Sequence, residues 1–382
     1  MANPTLRGLN PMRKMILMLL LLACALYGVW ATPIQDAARK GDVDTVTKLL
    51  ADDPTLLEAR GTDGNTPLLV AASAGQVVVV KLLLAHGADM TAQNKSYGIY
   101  SVLGAAARGA SLPVVQLLLD KGADPRSAGA LACALEGHSQ PIVQLLLDKG
   151  ADPKEKHLLA IAAGSRSLSL VQLMLNHGAD PRGEGVLTTA AWSGSLPMVQ
   201  LLLDKGADAK ADGVLKDAVL SGSLPMVQLL LDKGADPKAK DVLACAADSG
   251  SLPVVQLLLD HGADPQTKDV LAHAAMSRSL PMVQLLLDKG ADPKAKDMLV
   301  LAALRGSLPV IQLLLDKGAD PKADGVLASA VQSRSQPVVQ LLLDKGADPN
   351  SKDSRGRTPL QVARQKHDQG IIDLLLAHGA KE

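Results

Sequence analysis

The sequence contains no phenylalanine, and only two tryptophans and three tyrosines occur among its 382 residues. A globular domain of this length usually fills part of its core with large aromatic rings. The chain is nevertheless 47% hydrophobic, which is ample for a core of leucine, valine, alanine and methionine. This composition favours many thin, similar layers over one large core.

The sequence also lacks an excess of charge of either sign, because 39 Lys and Arg residues balance 39 Asp and Glu residues. Proteins that bind nucleic acid usually carry a basic excess, so we expect no nucleic-acid partner. Cysteine is scarce as well, with only Cys24, Cys133 and Cys245. Cys133 and Cys245 are separated by four lengths of the repeat described below, which places them on the order of 40 Å apart. A disulfide between them is therefore excluded.

Motifs typical of enzymes are missing. The sequence has no phosphate-binding loop, no G-x-S-x-G, no HExxH and no Cys-x-x-Cys. Catalysis requires a unique constellation of side chains in a pocket, which a uniform repeat rarely provides. We therefore predict that the protein is not an enzyme and has no cofactor and no metal site.

The N-terminal residues 1–31 carry a basic flank, Arg7, Arg13 and Lys14, followed by an apolar run over residues 15–31. Four interpretations stay open. In the first, the segment is a signal peptide cleaved after Ala31, because Val29-Trp30-Ala31 fits a signal-peptidase site. In the second, the segment is kept as a membrane anchor. In the third, Cys24 is lipidated, since Leu21-Leu22-Ala23-Cys24 resembles a lipobox, and in the fourth the run forms a buried first helix. The first three predict an exported, periplasmic or secreted protein whose membrane contact is confined to this segment.

The remainder, residues 32–382, is predicted to be one repeat domain. Gly-Ala-Asp recurs every 28 residues from Gly122 to Gly346, and the period covers about residues 102–349. Self-similarity at such a period predicts a solenoid. In one unit, a short helix beginning at Val242 is followed by a break and then by a second helix with Pro253 in its first turn, where a missing N–H is harmless. Gly262 ends that helix, so a continuous coiled coil is excluded.

These residues resemble the ankyrin repeat family, whose unit carries T-P-L-H-x-A-A and then V-V-x-L-L-L-x-x-G-A-D. The segments 66–72 and 79–89 match that pattern, as do 358–363 and 374–380, and residues 32–38 open the first unit. The resemblance covers about 12 units. It implies an all-α, ankyrin-like solenoid of about 12 helix pairs that binds a protein partner, and we expect a monomer.

The middle units depart from the family pattern. The distance from the glycine to the helix-1 leucine is 14 residues in the last unit, from Gly346 to Leu360, but 9 residues from Gly234 to Leu243. The missing residues are those that form the β-hairpin fingers of ankyrin repeats. We therefore expect most units, roughly the fourth to the eleventh, to lack fingers.

Two columns of helix 1 vary most between units, and they are three residues apart, which places each pair on one helix face. We call these columns the helix-1 stripe. Its pairs are Cys133/Glu136, Ile161/Gly164, Thr189/Trp192, Asp217/Leu220, Cys245/Asp248, His273/Met276, Leu301/Leu304 and Ser329/Gln332. We predict that the stripe binds the partner, with Trp192, Leu220, Met276 and Leu304 as apolar anchors. The competing interpretation is that these positions are simply exposed and free to vary.

A second candidate is the insertion around residues 94–101, which holds Tyr97 and Tyr100. The two tyrosines either contact a partner or cap the apolar end of the compact units. The function that the sequence favours is a non-enzymatic protein-interaction scaffold outside the cytoplasm. A membrane-tethered structural spacer and a secreted, host-directed effector are the alternatives.

Overall fold

A computed structural model describes residues 32–94, 100–267, 269–295 and 297–381 of the chain. These residues form 24 α-helices in twelve successive pairs, which confirms the predicted all-α repeat fold. We number the helices so that odd numbers are the first helix of each pair and even numbers the second.

The first six pairs are α1 (Pro33–Lys40) and α2 (Val43–Asp52), α3 (Pro67–Ser73) and α4 (Val77–Ala85), α5 (Val102–Arg108) and α6 (Leu112–Asp120), α7 (Ala130–Glu136) and α8 (Gln140–Asp148), α9 (Leu158–Gly164) and α10 (Leu168–Asn176), and α11 (Val186–Trp192) and α12 (Leu196–Asp204). A 3-10 turn, Pro54–Glu58, follows α2.

The last six pairs are α13 (Val214–Leu220) and α14 (Leu224–Asp232), α15 (Val242–Asp248) and α16 (Leu252–Asp260), α17 (Val270–Met276) and α18 (Leu280–Asp288), α19 (Met298–Arg305) and α20 (Leu308–Asp316), α21 (Val326–Gln332) and α22 (Gln336–Asp344), and α23 (Pro359–Gln365) and α24 (Gln369–Ala377).

The pair α15 and α16 shows why this sequence forms two short helices. Gly250 follows α15 with a φ of 75°, which turns the chain back, and Pro253 occupies the first turn of α16. Gly262 follows α16 with a φ of 94°, and the N–H of Ala263 donates to the carbonyl of Leu258 at 2.9 Å. The structure confirms both predictions: the proline lies in the first turn of the second helix, and the left-handed glycine follows its end.

The core lies between neighbouring pairs. In α15 the buried residues are Val242, Leu243, Ala246 and Ala247, and in α16 they are Val254, Val255, Leu258 and Leu259. First helices contact the first helices of adjacent pairs, as α15 does with α13 and α17. Alanine at the centre of each first helix permits this close packing, so aromatic rings are not needed.

The linkers confirm that the middle pairs lack fingers. Among the described residues, the only strands are β1 (Gln93–Asn94) and β2 (Tyr100–Ser101), which pair antiparallel. Finger-like turns remain near the ends, where Gly61 donates its N–H to the carbonyl of Asn65 and Asp353 to that of Arg357, both at 3.0 Å. A middle linker is instead a tight turn in which, for example, the Asp236 carboxylate accepts the N–H of Lys238 at 2.9 Å.

The tight linkers require one unusual backbone conformation. The residue before the first helix of each middle pair, from α7 to α21, has a positive φ, for example Gly213 at 80°, Asp241 at 62° and His157 at 67°. The residue type does not predict this conformation, because glycine, aspartate and histidine all occupy the position. Asp is among the residues that tolerate the left-handed region best after glycine.

The chain divides after Val186 into two compact units, which we call unit 1 (Met1–Val186) and unit 2 (Leu187–Glu382). The predicted domain boundaries, 1–31 and 32–382, stay a prediction, because residues 1–31 lie outside the described part of the chain. Within the described ranges, none of the helices combines the length and the apolar character needed to cross a bilayer.

Candidate functional site

The helix-1 stripe consists of one half-buried and one more exposed column. In unit 2, Thr189, Asp217, Cys245 and His273 of the first column are half-buried. In the second column, Trp192 is 64% exposed, Leu220 46% and Leu304 41%. Asp248 is exposed and Met276 is half-buried. Three of the four predicted apolar anchors are therefore open to solvent, whereas the first column presents only part of each side chain.

The two columns follow from the burial pattern of a seven-residue helix. Positions 1, 2, 5 and 6 of α13, which include Val214 and Ala218, are buried against neighbouring helices. Position 4 lies at the border of this buried face, and position 7 lies at the C-terminal end of the helix, away from it. The stripe is thus a byproduct of how the first helices pack, and its side chains are free to differ between repeats.

Electrostatic contacts along the stripe are few and exposed. The Nδ1 atom of His273 lies 3.3 Å from an oxygen of Asp248 in the preceding pair. Partial burial raises the pKa of the Asp217 carboxyl, and the neighbouring Lys216 opposes that shift. Burial likewise raises the pKa of the Cys245 thiol, so this thiol is not activated as a nucleophile. The stripe offers shape, apolar surface and a few polar groups, which suit recognition.

The second candidate is the insertion with two tyrosines, of which the structure describes one. Tyr97 lies outside the described residues. Tyr100 is half-buried: its hydroxyl is 3.1 Å from the Asn65 side-chain oxygen, and the guanidinium of Arg108 lies 5.3 Å from its ring centroid. These internal contacts support the interpretation that Tyr100 caps the compact pairs.

A further apolar column, which variation between the repeats does not reveal, lies beside the stripe. The first residue of each second helix in unit 2 is leucine up to Leu308, and Leu224 is 38% exposed while Leu280 and Leu308 are 39% exposed. Each follows four residues after a second-column residue, as Leu224 follows Leu220. More than a third of the surface of these three leucines is open, whereas Leu196 and Leu252 of the same column are half-buried.

The opposite edge of unit 2, formed by the linkers, is charged. At three of the second helices the terminal aspartate faces the lysine of the next pair, with nitrogen–oxygen distances of 3.8 Å for Lys233 to Asp204, 2.8 Å for Lys289 to Asp260 and 3.3 Å for Lys317 to Asp288. All these groups are exposed, so each pair contributes little stability. The linker edge therefore carries a ladder of contacts between repeats.

Grooves also lie between the linkers. One of about 410 Å³ in unit 2 is lined by Lys294, Ala295, Met298, Asp320 and Ala323 among others. Its mixed lining and open form show no convergent set of polar groups. Across the described residues, no three His, Cys, Asp or Glu side chains gather in a way that could hold a metal ion.

Stacked helix pairs whose exposed columns vary from pair to pair define a helical repeat protein. The family model for ankyrin repeats (3 copies) matches residues 16–94, 34–128, 130–213, 158–241, 215–297 and 298–382. The chain therefore belongs to the ankyrin repeat family, whose repeats bind protein partners.

Curated relatives match short stretches only. The serine/threonine-protein kinase VIK of Arabidopsis thaliana is 50% identical over 58 residues, which are 15% of this chain and 13% of the kinase. The ankyrin repeat and SAM domain-containing protein 6 of Rattus norvegicus is 34% identical over 88 residues, or 23% of this chain and 10% of that protein. The chain thus spans a small fraction of the length of these relatives.

Two solved structures are similar over about half of the chain. The ankyrin repeat domain of Bcl-3 is 28% identical, with a TM-score of 0.43, and covers 53% of this chain and 98% of its own. The human ASB11 ankyrin repeat domain is 22% identical, with a TM-score of 0.46, and covers 54% of this chain and 99% of its own.

Proposed function

We propose that this protein is a non-enzymatic scaffold that binds one protein partner through the helix-1 stripe of unit 2. The observation that carries the proposal is the run of exposed apolar side chains Trp192, Leu220 and Leu304 on positions that the packing leaves free. Exposed aromatic residues dominate the energetics of protein interfaces. Half-buried Thr189, Asp217 and His273 supply polar groups beside these anchors.

The experiment is a pull-down from an extract of the cell envelope. The double variant Trp192→Asp and Met276→Asp loses capture of the partner if the stripe is the interface, because charge replaces apolar contact area. Gln332→Asp is the matched control, since it adds a charge to the same column outside the apolar run. Circular dichroism verifies that each variant keeps its helices.

A structural spacer is the rival function. Removing two complete 28-residue repeats shortens the protein and leaves the rest of the stripe in place. If this deletion abolishes function while the Asp variants keep it, the stripe proposal is wrong and length is the functional property. A secreted, host-directed effector is a special case of the scaffold.

We further propose that the protein acts outside the cytoplasm. The basic flank and the apolar run over residues 15–31 support this location. Mass spectrometry of the mature N-terminus tests it: a chain beginning at Thr32 indicates soluble export, and a lipidated Cys24 indicates a lipoprotein. An intact N-terminus in the membrane fraction indicates an anchor. Intact protein in the cytosol contradicts the proposal.

A further inference from the structure

The turns between the two helices of each pair form an edge of unit 2 that carries exposed apolar side chains among serine and glycine residues. We call this edge the turn edge; it comprises residues 192–196, 220–224, 248–252, 276–280 and 304–308. Its first positions are Trp192, Leu220, Asp248, Met276 and Leu304, and its last positions are all leucine. The next pair ends the apolar run, with glutamine at both positions, Gln332 and Gln336.

The charges on the turn edge are mostly arginine. Arg278 and Arg305 lie within it, Arg334 lies in the adjoining turn, and Asp248 is the one acid in the five segments. The aspartates of the linkers lie at the opposite edge of the pairs. The turn edge therefore combines apolar side chains with a positive balance, although the chain as a whole is neutral.

Backbone geometry indicates that folding does not require arginine there. Arg278 has a φ of 60° at the position where Gly194, Gly222 and Gly250 have φ values of 74–76°. Residues with a Cβ are disfavoured in this left-handed region, which glycine enters freely. Arg334 shares the conformation, with a φ of 58°, but its guanidinium donates to the carbonyl of Lys366 at 3.0 Å and so has a structural partner as well.

We propose that the turn edge of unit 2 binds the surface of an anionic lipid bilayer. Exposed apolar side chains recur at these turns from pair to pair, which suits an extended and deformable interface. Trp192 is of the residue type that prefers the membrane–water boundary, and arginine is attracted to anionic headgroups. The sequence alone assigned membrane contact only to residues 15–31. This second contact goes beyond the proposed protein-binding function. It shares the second column of the helix-1 stripe and adds leucines and arginines outside the stripe.

The chain supplies matched substitutions for the test. Leu224→Gln, Leu280→Gln and Leu308→Gln copy the glutamine found at Gln140 and Gln336. Arg278→Gly and Arg305→Ser copy residues that other pairs have at the same positions, such as Gly250 and Ser249. Since each replacement already occurs in a folded repeat of this protein, both variants are expected to fold.

The first measurement is co-sedimentation of the full chain with phosphatidylcholine vesicles, with and without phosphatidylglycerol. We expect preference for the anionic vesicles, weakened by salt. The arginine variant loses about fivefold in partition coefficient for each arginine removed. The partition coefficient of the triple leucine variant falls more than about tenfold, because three apolar side chains are no longer transferred from water into the bilayer surface. All variants keep residues 15–31, so contact through that segment is common to them.

The second measurement localises the contact. Trp30 and Trp192 are the two tryptophans of the chain, so subtracting the emission of Trp192→Gln from that of the wild type isolates Trp192. Brominated lipid is expected to quench this difference signal in anionic vesicles. Absent quenching together with unchanged partition of both variants overturns the proposal.

The outcome is distinguishable from failure of the proposed function. If the leucine variant loses capture of a protein partner but keeps its vesicle affinity, the turn edge is a protein interface and the lipid proposal is wrong. If it loses vesicle affinity and keeps partner capture, the leucine column serves lipid binding and not partner binding. Asp217→Asn with His273→Gln, on the half-buried stripe column, is the reverse control and leaves vesicle binding unchanged.

Discussion

The ammonium group of Lys289 lies 2.8 Å from the carboxylate of Asp260, which ends the second helix of the preceding pair. The same carboxylate accepts a hydrogen bond from the side-chain amide of Gln256, also at 2.8 Å. One exposed aspartate thus joins a contact within its own helix to a contact with the next repeat. Because repeats touch only their neighbours, such contacts help to fix the stacking register.

The first prediction concerns the titration of Asp260. The contacts with Lys289 and Gln256 hold the pKa of this carboxyl below its ordinary value. A carboxyl whose pKa is depressed on folding stabilises the fold above its unfolded pKa of about 3.9. That contribution is lost as the pH falls through the folded pKa. Lys289→Gln should raise the pKa of Asp260 toward the ordinary value, as measured by carboxyl NMR titration.

Asp53 provides an internal control for that titration. Its pKa is also lowered, first by the hydrogen bond from the Thr55 hydroxyl and then by the one from the Thr55 N–H, and both residues lie far from Lys289 in the sequence. An equal rise of the pKa at Asp53 and Asp260 would show that the effect is not local and would contradict the contact between the two repeats.

The second prediction concerns the packing of the first helices. Ala246 is 0% exposed at the centre of α15, which packs between α13 and α17. Ala246→Leu adds three carbons where there is no room, and overpacking costs about 1–3 kcal/mol. Hydrogen exchange should speed up in α13, α15 and α17 and change little in α23. The control Ala244→Leu, at a half-buried position of α15, should have a smaller effect.

The third prediction sets stability against binding. Arg278→Gly removes a side chain from a left-handed residue, and the relief should be about 1 kcal/mol. The midpoint of urea unfolding should therefore rise, while affinity for anionic vesicles falls. In the opposite direction, Gly222→Arg should lower the midpoint. A lower midpoint for Arg278→Gly would show that the arginine supports the fold and is not placed there for binding.

Most of the fold was predictable from the sequence because each repeat contains the residues that begin and end its helices. The proline at Pro253, the glycine at Gly262 and the short spacing from Gly234 to Leu243 each determine a local feature. The features that were not predicted are contacts between neighbouring repeats and a backbone conformation that several residue types adopt. The contact from Lys289 to Asp260 joins two repeats, and the positive φ of Asp241 has no single residue type to reveal it.

The candidate site was predictable in part for a similar reason. Variation between repeats identified the exposed column of Trp192 and Leu220, because packing restrains the other positions of a short helix. Variation between repeats does not identify the exposed Leu224 column, because a leucine that is the same in successive repeats is expected to be buried in the core. Constancy within an array shows that all copies share a residue, but it does not distinguish a buried side chain from an exposed one.

The last prediction tests whether Tyr100 is structural or binds a partner. Its hydroxyl lies 3.1 Å from the side-chain oxygen of Asn65, and that oxygen also accepts from the Asn94 amide at 2.6 Å. Tyr100→Phe removes one member of this network and keeps the ring against Arg108, so it should cost about 1 kcal/mol. The midpoint of unfolding of unit 1, followed by hydrogen exchange in α3 and α5, measures that loss. Unchanged exchange combined with reduced partner capture would instead make Tyr100 a contact residue.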